Sequence, residues 1–169
     1  MIIKNADLAD IPIIQQLAFE IWPVAYGDIL SVEQLQYMLN NMYSASSLHS
    51  QMSELHHQFL LALDEGLPIA FASYSNISTS SEERKFKLHK LYVLLKDQGR
   101  GIGKLLVEEI SQQIKSSQIT KLMLNVNRHN NAVEFYKRLG FRVIREEDID
   151  IGDGFYMNDY VMEKIIETN

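Results

Sequence analysis

The sequence predicts an α/β (α+β) fold. A mixed, mostly antiparallel central sheet is flanked by helices, in the order β-α-α-β-β-β-α-β-α-β-β. Three observations carry this. Phe59–Leu63 and Leu67–Tyr74 are apolar runs joined by Asp64-Glu65-Gly66, a hairpin signal. Leu88–Ile110 reads as a strand, a glycine-studded turn and a helix. Strand-forming runs then alternate with one short amphipathic segment up to the end of the chain. No internal repeat or domain boundary interrupts residues 1–169, which fit a single domain with a substantial core.

The elements follow in order. Met1–Lys4 is a short apolar strand. Asp7 and Asp10 are candidate caps for a helix whose apolar face is Ile11, Ile14, Leu17, Ala18 and Ile21. Pro12 falls in its first turn, where a missing N–H costs little, and Trp22-Pro23 is expected to close it. Ser31 and Gln34 form a capping-box pattern ahead of Leu35, Met38, Leu39 and Met42. Ser44–Gln58 is polar and shows no clear element. Its His49, His56 and His57 lack metal-ligand spacing, so no metal is expected. Asn76–Glu83 reads as an exposed loop, and Arg84–Leu95 as a long strand. Lys121–Val126 is the next strand. A short helix built on Ala132, Val133, Phe135, Tyr136 and Leu139 stops at Gly140. Phe141–Ile149 and Tyr156–Ile165 are the last strands, joined by a turn at Ile151–Phe155.

The turn Gln98-Gly99-Arg100-Gly101-Ile102-Gly103 is the chemically informative stretch. Glycines between a strand and a helix let backbone approach a ligand closely. The helix start behind them offers unpaired N–H groups and a positive dipole end, which together hold phosphate. Two common phosphate patterns do not fit. G-x-G-x-x-G has other spacing, and G-x-x-x-x-G-K-[ST] would need Ser or Thr where Leu105 stands.

What remains is Q-G-x-G-x-G with an internal arginine. Here the sequence resembles the GNAT family, the GCN5-related N-acetyltransferases, and this motif resembles that family's pyrophosphate-binding signature. A second stretch, Leu122–Phe141, carries the resemblance further: Ala132, Phe135, Tyr136, Gly140 and Phe141 match A-x-x-F/L-Y-x-x-x-G-F. Leu91-Tyr92-Val93 also resembles the strand before the family's loop. The likeness is specific from about Leu88 to Phe141 and weak before Phe59.

The resemblance implies a GNAT fold and direct acetyl transfer from acetyl-CoA to a primary amine, with no acyl-enzyme. It implies that the backbone of Leu91, Tyr92, Val93 and Leu94 pairs with the pantetheine arm where two parallel strands splay. The N–H groups of Gln98, Gly99, Arg100, Gly101, Ile102 and Gly103 would hold the pyrophosphate, with Arg100 and Lys104 supplying charge. Asn125 and Asn130 would lie near the cofactor, and Tyr136 near its sulfur. One departure stands out: many relatives place Asn three residues before the alanine, whereas here His129 stands there and Asn130 follows.

A phenol of pKa ~10 is protonated at neutral pH, so Tyr136 is the expected acid for the departing thiolate. The base is open. No carboxylate lies between Lys85 and Lys96, and His89 either takes this role or is an ordinary strand histidine. In the family, the region between the first two helices shapes the acceptor pocket. Tyr26 either lines that pocket or packs the core, and Trp22 is expected in the core. The segment Trp22–Leu39 is similar to that of members acting on small amines, including polyamines. A protein N-terminus or lysine as acceptor, and a catalytically silent acyl-CoA-binding module, are the alternatives.

Bulk numbers bound the remaining classes. A net charge of −6 argues against broad nucleic-acid binding and suits a cationic substrate. No apolar run approaches a membrane span, and the N-terminus lacks a signal-peptide pattern. The chain has 0 cysteines, which excludes disulfides and thiol nucleophiles and fits an expected cytoplasmic location. GNAT domains often dimerise, so the resemblance also implies a homodimer.

Overall fold

A computed structural model describes residues 1–168. The elements are β1 (Ile2–Ala6), α1 (Ile11–Tyr26), α2 (Val32–Tyr43), α3 (Ala45–Ser53), β2 (Gln58–Asp64), β3 (Leu67–Asn76), β4 (Arg84–Val93), α4 (Ile102–Ile114), β5 (Thr120–Asn127), α5 (Ala132–Arg138), β6 (Arg142–Gly152) and β7 (Phe155–Ile166). The strands form one 7-stranded sheet in the order β1-β2-β3-β4-β5-β7-β6. The predicted mixed, mostly antiparallel sheet with helices is therefore what the chain builds.

By backbone contacts the chain divides into two compact units. The first comprises Met1–Ser75 and Lys90–Ile110, the second Asn76–His89 and the chain from Ser111 onward. In the first unit, β1 and β2 pair antiparallel with Ile2 opposite Leu63, and β2 pairs with β3 with Phe59 opposite Ser73. The β2–β3 turn places Glu65 at φ 49° and Gly66 at φ 83°, the two left-handed residues of a tight hairpin turn. Ile14, Leu17, Ala18 and Ile21 of α1 are buried, as are Leu48, Leu60, Leu61 and Phe71 of the same unit.

In the second unit, β4 and β5 run parallel from Arg84 opposite Thr120 to Leu88 opposite Leu124. Strand β7 pairs antiparallel with both β5 and β6. Alternation is strict along β5: Thr120, Leu122, Leu124 and Val126 are buried, while Lys121, Met123, Asn125 and Asn127 face the other, more polar side.

Three local expectations are corrected. First, α1 does not end at Trp22 but continues through Pro23 to Tyr26. Proline forfeits one backbone hydrogen bond, and tertiary packing outweighs it: Trp22 is buried and stacks against Tyr26, Tyr43 and Tyr92. Second, the polar stretch after Ser44 contains a third helix, α3. The Ser44 hydroxyl accepts from the Ser47 N–H at 3.2 Å to cap it, and Leu48 and Gln51 are its buried positions. The strand expected to reach Leu95 ends at Val93, and a 3-10 turn spans Leu95–Asp97.

Candidate active site

The glycine turn in the first unit is built as an open cradle. The Leu94 N–H donates to the Ile69 carbonyl at 2.9 Å, and Asp97 N–H to Leu94 carbonyl at 2.9 Å, which fixes where the turn leaves β4. Gly99 and Gly101 both sit at φ 78°, a left-handed conformation that a side chain opposes. A Cβ at either would meet nothing within 4 Å, so conformation rather than crowding demands glycine there. Gln98, Gly99, Arg100 and Gly101 are exposed, while Ile102 is buried and pins the first turn of α4. First-turn N–H groups of any α-helix lack intrahelical acceptors, so this geometry suits an anion.

Arg100 behaves differently from a simple phosphate ligand. Its guanidinium donates to Asp64 at 2.6 Å and to Asp97 at 2.7 Å. The hydrogen bond it donates to Asp64, then that to Asp97, raises its pKa. Arg100 thus braces the turn against β2. Lys104 is 60 % exposed, with one loose contact to Glu108 at 3.6 Å, and is the cation the cradle presents.

Behind β4 lies an aromatic cluster of the first unit. The Trp22 indole N–H donates to the Tyr43 hydroxyl at 3.2 Å, and the Tyr26 and Tyr92 hydroxyls share a bond at 2.9 Å. Ring centroids of Phe71 and Tyr92 lie 5.5 Å apart. Burial, with the Tyr26 phenol as a lesser cause, raises the Tyr43 pKa. Sequence reading placed Trp22 in the core but did not anticipate Tyr43 or the Tyr92 side chain here. Lys90, which the sequence places in alternation with Phe86 and Leu88, is 5 % exposed. The Lys90 ammonium donates to Gln51 Oε1 at 2.7 Å and lies 5.5 Å from the Tyr43 ring. Burial lowers its pKa to about 8. The signal for Lys90 was its place in the alternation Phe86, Leu88, Lys90, which puts it on the buried face of β4.

In the second unit, Tyr136 sits on α5, buried at 8 % exposure. Its ring packs edge-on against Phe135 at 5.2 Å and Phe141 at 5.6 Å. The Asn130 side-chain oxygen accepts from the Ala132 N–H at 2.8 Å, so its amide N–H groups are what it can offer a ligand. Asn125 donates from its amide to Glu147 Oε2 at 3.2 Å. His89 falls on the same β4 face as Lys85 and Lys87 by alternation. Among the described residues, no group of three or more metal-ligating side chains forms, and no helix is long and apolar enough to cross a membrane.

Comparison with known proteins places these features in a family context. Residues 28–164 match the family described as the acetyltransferase (GNAT) domain. The chain is similar to spermidine N(1)-acetyltransferase of Thermoplasma acidophilum, at 28% identity over 171 residues, covering 98% of each chain. It resembles the crystal structure of PaiA N-acetyltransferase from the same organism in complex with coenzyme A. The TM-score is 0.76 and the identity 27%, over 97% of this chain and 99% of that one. An uncharacterised N-acetyltransferase of Bacillus subtilis is 21% identical, over 88% of this chain and 84% of the other.

Proposed function

The chain belongs to the GNAT acetyltransferase family, and from that premise we propose that it moves the acetyl group of acetyl-CoA directly onto a primary amine of a small, polyamine-like molecule. Residues 1–169 act as one acetyltransferase domain in this reading. The open, positive-φ cradle at Gly99 and Gly101 before α4 is the observation that carries the donor. Near-complete coverage of a spermidine acetyltransferase supports the acceptor class.

The chemistry follows from the groups available. Backbone of Leu91–Leu94 pairs with the pantetheine as an added strand would. N–H groups from Gly99 to Gly103 hold the pyrophosphate, since the Gln98 N–H already donates to the Leu95 carbonyl at 3.2 Å; Lys104 adds charge, and Arg100 keeps the turn in shape through Asp64 and Asp97. The lone pair of the neutral amine attacks the thioester carbon, the C–S bond breaks, and the proton then carried by the nitrogen passes to solvent water. The Tyr136 phenol gives its proton to the leaving thiolate, worth roughly 10²–10⁴-fold in rate. Tyr26, tied to Tyr92, contributes an aromatic wall for the aliphatic part of the acceptor. Asn130 lends amide donors to the cofactor.

Calorimetry with acetyl-CoA, followed by free-CoA release over a panel of spermidine, propylamine and a lysine-containing peptide, tests the reading. Micromolar binding with turnover of spermidine or propylamine is expected. Binding without turnover would make the chain a silent acyl-CoA module, and turnover of the peptide alone would make it a protein acetyltransferase.

A further inference from the structure

Asp159 on β7 is 1 % exposed, and neither of its carboxylate oxygens has a hydrogen-bond partner. Buried carboxylates are almost always paired, because an unpaired one forfeits hydration with nothing in return. Strand register places it on the polar face of the second unit, opposite Asn127 of β5 and Glu147 of β6. Burial, the largest cause, raises its pKa; the Asn125 amide, which approaches it as a donor without reaching hydrogen-bond geometry, and the Lys87 and Arg128 charges lower it, and Glu147 raises it.

The neighbours are mostly occupied with one another. Glu147 takes the Arg145 guanidinium at 2.7 Å and the Asn125 amide at 3.2 Å. Arg128 is held by Asp148 at 2.6 Å and by Glu146. A carboxylate only accepts, so Glu147 holds the amide nitrogen of Asn125 toward itself. Among the described residues of this face, the buried Asp159 carboxylate is left without a hydrogen-bonded donor. Its complement is a multi-donor cation. Because no metal-ligating group of three forms among the described residues, an organic ammonium fits better than a metal ion.

We propose that Asp159 is the subsite that receives the protonated amine of the acceptor, and that Glu147 holds the Asn125 amide that borders it. The proposal rests on the small-amine reading above and names where the amine docks. Lys87, Asn125 and Glu147 are each only partly buried, so a rotamer change among them opens Asp159 to the ligand. An ammonium there completes the hydrogen bonds that Asp159 lacks, and a charge-assisted bond to it is strong and directional. An alcohol of equal length gains much less.

The test is calorimetric binding of spermidine, propylamine and the lysine-containing peptide to CoA-saturated protein, wild type against Asp159→Asn. Removing the charge should weaken ammonium binding about 10- to 100-fold and remove the preference for propylamine over propanol. Acetyl-CoA affinity should stay within about twofold, since Asp159 plays no part in holding the cofactor. Unchanged amine affinity in a folded Asp159→Asn variant overturns the subsite, as does wild-type protein that binds none of the three ammonium probes. If Asp159→Asn does not fold, Glu147→Gln carries the test; it should weaken amine binding several-fold, and unchanged binding overturns the proposal. Lys87→Met separates a structural pair from a ligand site. A matching loss of melting temperature in Lys87→Met and Asp159→Asn, with ammonium binding intact in both, assigns Asp159 to Lys87 and overturns the proposal. Failure of the small-amine reading looks different: the peptide would then be the ligand that binds and turns over, and its ammonium would still depend on Asp159.

Discussion

The Phe141 backbone N–H donates to the Tyr136 carbonyl at 3.1 Å, while the two rings meet edge-on with centroids 5.6 Å apart. The Gly140 N–H donates to the Lys137 carbonyl at 3.0 Å, and Gly140 sits at φ 91°. This is the Schellman closure of α5, complete with its apolar contact across the cap. The sequence motif F-Y-x-x-x-G-F thus has a physical content: it ends the helix at a left-handed glycine and clamps the Tyr136 ring.

Tyr136→Phe should keep that clamp and lose the hydroxyl that carries the proton. We expect kcat to fall roughly 10²–10⁴-fold with acetyl-CoA affinity within about twofold. Calorimetry and a CoA-release assay read the two numbers. Turnover equal to wild type would remove Tyr136 from the acid role.

Gly140→Ala tests the clamp itself. The nearest atom to an added Cβ is the flexible end of Lys164 at 3.8 Å, so space is adequate and only the positive φ resists. The cost should be about 1 kcal/mol, visible as a lower urea midpoint at unchanged slope. If the clamp orients the phenol, kcat falls as well while acetyl-CoA affinity holds. A variant that loses stability alone would make Gly140 purely structural.

Gly101→Asp should abolish CoA binding while the domain stays folded. Aspartate tolerates the left-handed region better than most residues, and nothing lies within 4 Å of the new Cβ. Its charge, however, would stand where the pyrophosphate is proposed to lie, at a helix start. Calorimetry with CoA gives the answer, with circular dichroism to confirm the fold. Binding within tenfold of wild type would refute the cradle.

Legibility from sequence followed the strength of local backbone demand. The Gly99–Gly103 turn and Gly140 were readable because left-handed backbone selects glycine almost regardless of context. The β2–β3 hairpin was readable because Glu65-Gly66 sits between two apolar runs. Helix α3 was not, since Ser44 is followed by no N3 acid or amide and only Leu48 and Gln51 face inward. Helix α1 ran past Pro23 because Trp22 and Tyr26 find aromatic partners from distant segments. Asp159 reads as an ordinary polar residue within a strand. Its burial comes from cross-strand neighbours on β5 and β6 that no local pattern reveals.

Lys90 gives a prediction about pH. Below about 8 its ammonium is charged in both folded and unfolded chains, and the full burial cost falls on the fold. Between about 8 and the ordinary 10.5 the unfolded chain binds more protons than the folded one, so stability rises with pH. Above 10.5 the lysine is neutral in both states and the cost is gone. The rise is at most on the order of 3 kcal/mol, since the bond to Gln51 at 2.7 Å keeps part of the charge compensated. Lys90→Met removes the titrating group. It also leaves Gln51 Oε1 without its donor, so absolute stability can move either way. The slope is the diagnostic quantity. Urea midpoints for wild type and Lys90→Met, measured at pH 7 and pH 10, cancel the tyrosines and lysines common to both. The wild-type value should climb relative to the variant as pH rises. Parallel pH dependence would mean that Lys90 titrates as a solvent-exposed lysine does, and that its ammonium reaches water past Gln51.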